Sequence, residues 1–196
     1  MLFMDTLSKL FGSEAKVKIM RLYLFNSDKV FDLNQITDRV HEEISKVRRE
    51  LSVLEKMGFL KTRQSTKPGA KKGYLLDTQF MYLASLQNFL LNIEPLQPKE
   101  IVKRISKIGT IKLVITAGVF MQEPESRLDL FVVGDNVKKA AFEHVVKLLE
   151  SEIGKELRYA YFSTADFQYR INMFDKLTRD VLDYPHRKLI NKLGNI

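Results

Sequence analysis

Apolar residues at Ile44, Val47, Leu51 and Leu54 recur at the spacing of one face of a 3.6-residue helix, and predict a helix over 43–57. At about 100° per residue, Ser45, Arg49, Ser52 and Lys56 fall on the opposite face, with Lys46 beside them. Gly58 stands where a helix C-cap is expected, and Lys56 in the last turn suits the helix dipole. Before this helix, Asp32 is placed to cap a short one, Leu33–Val40, with Leu33, Ile36 and Val40 inward and His41-Glu42 as the turn. After it, Phe59–Arg63 reads as a strand, Ser65–Gly69 as a loop tip and Gly73–Leu76 as the returning strand. Further upstream, Ser13 predicts the N-cap of a helix running to about Phe25. Asn26-Ser27-Asp28 predicts a turn, and Val30-Phe31 a short strand.

Gln79–Leu91 follows as a helix on which Phe80, Met81, Leu83, Leu86, Phe89, Leu90 and Leu91 cover most of the circumference. Such a helix needs burial on more than one side. The expected cover is a second subunit, making a homodimer, or the C-terminal half. Pro95 and Pro98 mark a junction, giving domains over 10–92 and 99–196. The second half predicts a helix at Lys99–Lys107 and strands at Ile111–Thr116 and Leu128–Val133, the latter closed by Gly134-Asp135. A helix follows over Val137–Ile153, capped by Asn136 or Asp135, then a strand over Leu157–Ser163 and one long helix over Ala165–Leu182. Leu189-Ile190 adds a last short strand. Strands alternating with helices indicate an α/β sheet domain. The fold class expected is therefore two-domain, α+β / α/β.

Composition narrows the classes. With 45% hydrophobic residues the 196-residue chain can build real cores. It has no cysteine, which excludes disulfides and thiolate zinc sites. Met1–Phe11 is amphipathic rather than a signal peptide, and no apolar run reaches the roughly 20 residues that span a bilayer. The expectation is a cytoplasmic protein with no membrane partner. The net charge is +8, and it is concentrated: residues 44–73 hold nine Lys or Arg against two acids, Glu50 and Glu55, an excess of seven. Clustering of that kind is the footprint of a polyanionic partner.

The segments "DLNQITDRV", "EISKVRRELSVLEKMGFLKTR" and "KKGYLLD" resemble winged helix-turn-helix regulators of the arsenical-repressor and multiple-antibiotic-resistance-repressor type. The resemblance covers about residues 10–92. It implies double-stranded DNA binding by a homodimer, with a recognition helix in the major groove and a basic wing over the backbone. On that reading Ser45, Lys46, Arg49 and Ser52 reach base edges and nearby phosphates, where a bidentate arginine–guanine contact discriminates by about 1–3 kcal/mol. Lys56, Lys61, Arg63, Lys67, Lys71 and Lys72 are phosphate contacts, adding affinity and salt dependence. Arg48, on the flank near Glu55, either joins them or pairs with Glu55.

Residues 111–135, "IKLVITAGVFMQEPESRLDLFVVGD", resemble the core of polymerase-beta-type minimal nucleotidyltransferases. That superfamily uses a small-residue turn at the nucleotide phosphates and clustered carboxylates for two divalent metals. Here Gly118 stands in the turn, followed by Val119. Arg127 occupies the first carboxylate position, and Asp129 remains as the second, with Arg127 the expected partner of Asp129. Leu157–Ser163 supplies no third acid. The expectation is a degenerate nucleotide site formed by Gly118, Arg127 and Asp129, with no catalytic residues, metal or cofactor. The domain would dimerise, sense a nucleotide or dock a partner protein. His41, His144 and His186 have no second histidine at i+3 or i+4, so zinc is not expected. The functional expectation is a DNA-binding transcription regulator. The alternatives are a nucleotidyltransferase with a DNA-binding domain, or an accessory docking protein of a DNA-handling complex.

Overall fold

The computed structural model describes residues 3–63, 72–91, 96–123 and 125–194. The chain divides into two compact units, Met1–Pro95 with Lys147–Lys155, and Leu96–Val146 with Glu156–Ile196. Among the described residues the class is mixed α+β, with helices and two separate sheets. No helix among them is long and apolar enough to cross a membrane.

The first unit begins with α1 (Phe3–Phe11) and α2 (Glu14–Phe25). The Ser13 side chain accepts the Lys16 N–H and starts α2 as its N-cap. This helix, rather than the one predicted over 79–91, is buried around most of its circumference. Val17, Ile19, Met20, Leu22 and Tyr23 form the centre of the core. Two cations share that burial, and each has partners. Lys18 Nζ lies 2.8 Å from both Glu14 and Glu42. Burial alone would lower its pKa, but the hydrogen bonds and charges of the two glutamates outweigh it and raise the value. Arg21, fully buried, donates from Nη1 to the Glu152 carbonyl at 2.9 Å. Desolvation pulls its guanidinium down to about 10, so it stays charged at neutral pH. Close by, Asn26 donates to the Gly154 carbonyl. Gly154 has φ +89°, and a Cβ there would fall 2.5 Å from the Arg21 carbonyl carbon, so only glycine fits.

Next come β1 (Phe31–Asp32), α3 (Leu33–Val40), α4 (Ile44–Lys56), β2 (Leu60–Arg63), β3 (Gly73–Leu76) and α5 (Leu83–Leu91). Asp32 and Gln35 form a reciprocal capping box at the start of α3. His41 takes φ +50° to turn the chain into α4. At the other end, Gly58 has φ +81° and the Phe59 N–H bonds the Leu54 carbonyl at 3.0 Å, a Schellman stop. The three strands are antiparallel in the order β1-β3-β2, with Leu60 opposite Leu76 and Arg63 opposite Gly73. The helix expected from Gln79 starts only at Leu83, after turns at 78–79 and 81–82. Leu90 is buried, whereas Met81, Tyr82 and Phe89 are exposed. Apolar periodicity alone does not say which of two apolar helices takes the centre; α2 does.

The second unit contains α6 (Pro98–Ile105), β4 (Thr110–Thr116), a single 3-10 turn (Gly118–Phe120) and β5 (Leu130–Asp135). It continues with the start of α7 (Lys139–Ile153), β6 (Tyr159–Phe162), α8 (Thr164–Asn172), α9 (Lys176–Asp183) and β7 (Arg187–Asn191). The sheet order is β6-β5-β4-β7. β5 and β6 run parallel, and the other two pairs are antiparallel. Leu113 to Ile115 and Leu130 to Val133 are all buried, as expected for central strands covered on both faces. Leu113, Ile115, Phe131 and Val133 pack with Phe167 of α8 and Val181 of α9. Phe142 of α7 meets the rings of Tyr159 and Tyr161, which alternate with Ala160 and Phe162 along β6.

Two local expectations change here. The single helix over Ala165–Leu182 is two helices, broken where Phe174 takes φ +53° and Asp175 caps α9 by accepting the Thr178 N–H. Asp135 does not cap α7. Its carboxylate accepts from the N–H and hydroxyl of Thr164, at 3.0 and 2.7 Å, at the start of α8. The parallel register, with Val133 opposite Phe162, brings these ends together. Those bonds, the backbone one foremost, hold the Asp135 carboxyl below its usual range.

Candidate nucleic-acid interface

α4 packs Val47, Leu51 and Leu54 into the core with no exposed surface. Burying each contributes about 1.5–3 kcal/mol, which fixes the rotation of the helix. Ser45, Lys46, Arg48, Arg49, Ser52 and Lys56 are all exposed, as the periodicity predicts. Two positions depart from the predicted seam. Ile44, in the first turn, is 44% exposed. Glu50 is buried instead, lying 3.5 Å from Lys16 and 3.5 Å from the Arg49 guanidinium. Glu50 therefore steadies one end of the exposed arginine while meeting a cation of α2. The sequence signal for it was weak: an acid between two seam positions reads equally well as a surface residue.

The exposed cations are lightly engaged by the protein itself. Lys46 is 4.0 Å from both Glu42 and Glu43, at the limit of an ion pair, and the Arg49 side chain is 72% exposed. Pairs this open to water contribute about 0–1 kcal/mol, so both heads are available to an external anion. Glu55, expected near Arg48, instead meets Lys72 at 3.3 Å. Lys72 also sits 5.2 Å over the Tyr74 ring. It thus ties the hairpin to the last turn of α4. Lys61 is 3.5 Å from Asp77. The Asp77 carboxyl is held below its ordinary range, first by the Gln79 N–H and then by the Lys61 charge. Arg63 is exposed at the end of β2. Lys67 and Lys71 lie outside the described residues.

Of the three residues expected to form one site, Gly118 and Asp129 lie against each other, whereas Arg127 pairs elsewhere. Asp129 is fully buried. Its Oδ1 accepts the Val119 N–H at 2.8 Å, and its Oδ2 accepts the Arg158 N–H at 2.9 Å and Nε–H at 3.2 Å. Gly118 has φ +52°, and a Cβ there would overlap Asp129 Oδ1, so the glycine is required by the aspartate. Arg127 pairs with Asp180 at 2.7 Å rather than with Asp129, correcting the expected pairing. Sequence proximity favoured Arg127, two residues away. The β5–β6 pairing brings in Arg158 from 29 residues away. With its oxygens engaged by backbone and guanidinium donors, the Asp129 carboxylate cannot also ligate a cation without losing them. Among the described residues no three His, Asp or Glu side chains are grouped to hold a metal ion.

The geometry thus offers an exposed basic surface on α4 and the described part of the β2–β3 hairpin, and a closed polar cluster around Asp129. No protein-family model, curated protein or solved structure matches this chain.

Proposed function

We propose that this protein is a DNA-binding transcription regulator of winged helix-turn-helix type, reading duplex DNA with α4 and the β2–β3 hairpin. The observation that carries the reading is the exposed row Ser45, Arg49, Ser52 and Lys56 directly opposite a fully buried Val47–Leu51–Leu54 seam. A helix so anchored presents hydroxyl, guanidinium and ammonium groups at a rotation fixed by its core, which suits major-groove readout. The hairpin cations suit phosphates, each neutralised phosphate steepening the salt dependence by about 0.9 in the log–log slope.

The same reading makes the protein a homodimer. Leu10 of α1, 67% exposed, and Met81, Tyr82 and Phe89 around α5 are exposed apolar side chains, which a second copy would cover on this reading. The second unit is read as a non-catalytic relative of the minimal nucleotidyltransferase fold, because Asp129 is committed to Val119 and Arg158. Selection of bound duplexes from genomic fragments tests the whole reading. The expected outcome is a recurring site with two symmetric halves about 10 base pairs apart. Recovery of no common sequence would overturn it. Labelled nucleoside triphosphates with magnesium or manganese should give no transfer product. Transfer that is lost in Asp129→Ala would establish an enzyme instead.

A further inference from the structure

In the second unit, α6 and β7 line an open groove of about 460 Å³. Its lining divides cleanly by chemistry. Pro98 and Val102, one helical turn apart, combine with Leu189 into an aliphatic floor, while Lys99, Lys103 and Lys188 supply ammonium groups, and no carboxylate is among the lining residues. Lys99 and Lys103 stand at i and i+4 on α6, a spacing at which like charges repel. Among the described residues neither has an acidic side chain within ion-pair distance. β7 is the edge of its sheet, so the groove runs beside a strand with a neighbour on one side only.

We propose that this groove docks an acidic segment of a partner protein. The segment lays an aliphatic side chain on Pro98, Val102 and Leu189 and sets carboxylates against the three lysines. Charge complementarity selects an anionic occupant. The floor selects a peptide over a nucleic acid, because bases are held by stacking on aromatic rings or guanidinium planes and the lining has neither. The open form favours an extended segment over a small molecule, which needs enclosure over most of its surface. The surface is independent of α4, so it stands or falls apart from DNA binding.

The test uses the full chain and a short fluorescein-labelled peptide of Glu and Asp residues flanking Leu-Leu, followed by anisotropy. Saturable binding is expected, weakened about tenfold or more by Lys99→Glu with Lys103→Glu and by raised salt. It should also weaken when Leu-Leu is replaced by Gly-Gly, and be unchanged by Lys46→Glu with Arg49→Glu. Circular dichroism checks that each variant is folded, and Lys99→Gln with Lys103→Gln serves if the reversals are not. No saturation up to millimolar peptide overturns the proposal, leaving the lysines as guards of an exposed sheet edge. Undiminished binding by the lysine variants overturns it too. Tighter, lysine-dependent binding of oligothymidylate would replace the peptide with nucleic acid.

Discussion

The α4 face and the Asp129 cluster both set an arginine against a carboxylate, and they dispose of the charge in opposite ways. On α4 the carboxylate of Glu50 is buried and the Arg49 side chain is 72% exposed, touching Glu50 at 3.5 Å. At Asp129 the carboxylate is also buried, but Arg158 adds its backbone N–H to its guanidinium, and Val119 adds another N–H. The first arrangement leaves hydrogen-bonding capacity pointing outward. The second consumes it. An arginine beside an acid is therefore not itself a functional signal; what matters is how many of its donors remain for something else.

This contrast can be broken by mutation, beginning with the largest effect on stability. Gly118→Ala forces a side chain into a left-handed backbone position and against the buried Asp129 carboxylate. It should cost about 3–4 kcal/mol, measured by urea denaturation. A cost near zero would mean the turn is not held by Asp129. Asp129→Ala, which strands the Val119 and Arg158 donors, should cost about 2–3 kcal/mol. Arg158→Ala should cost only about 1 kcal/mol, since its guanidinium is partly exposed and its backbone N–H remains. On the other surface, Arg49→Ala and Ser52→Ala should change stability by less than about 0.5 kcal/mol. A larger loss there would make α4's outer face structural.

The smallest effect is one of pH. Asp135 and Asp175 are held below the ordinary 3.8 chiefly by the backbone N–H groups of Thr164 and Thr178. Their folded pKa values lie below the unfolded ones, so the stability they contribute is complete above pH 3.8 and is lost as pH falls through the folded values. Asp175→Asn should flatten the acid limb of the stability curve. Lys18 has the opposite sign. Its raised pKa gives stability present below 10.5 and lost as pH rises through the folded value.

Legibility in the sequence followed the range of the interaction. The Ser13 cap, the Asp32 cap and the Gly58 stop are local, written within a few residues, and the structure forms all three. The exposed row of α4 was legible for the same reason. The Phe174 break was not, because a bulky residue at positive φ runs against every local preference, although Asp175 followed by Thr178 is a cap spacing. The pairings Arg127–Asp180, Asp129–Arg158 and Asp135–Thr164 are set by strand pairing and helix packing across 29 or more residues, which periodicity does not encode. The burial of α2 around Lys18 and Arg21 was hidden by its charges, which partners such as Glu14, Glu42 and the Glu152 carbonyl make tolerable.

The most direct measurement is duplex-DNA affinity as a function of salt for the wild-type chain and for Lys46→Glu with Arg49→Glu. Both positions are exposed, so the variant should keep its circular dichroism spectrum and melting temperature. Its affinity should fall by about 100-fold or more, with a shallower salt slope. A folded variant that binds the same duplex with unchanged affinity and slope would contradict the assignment of α4 as the DNA-reading helix.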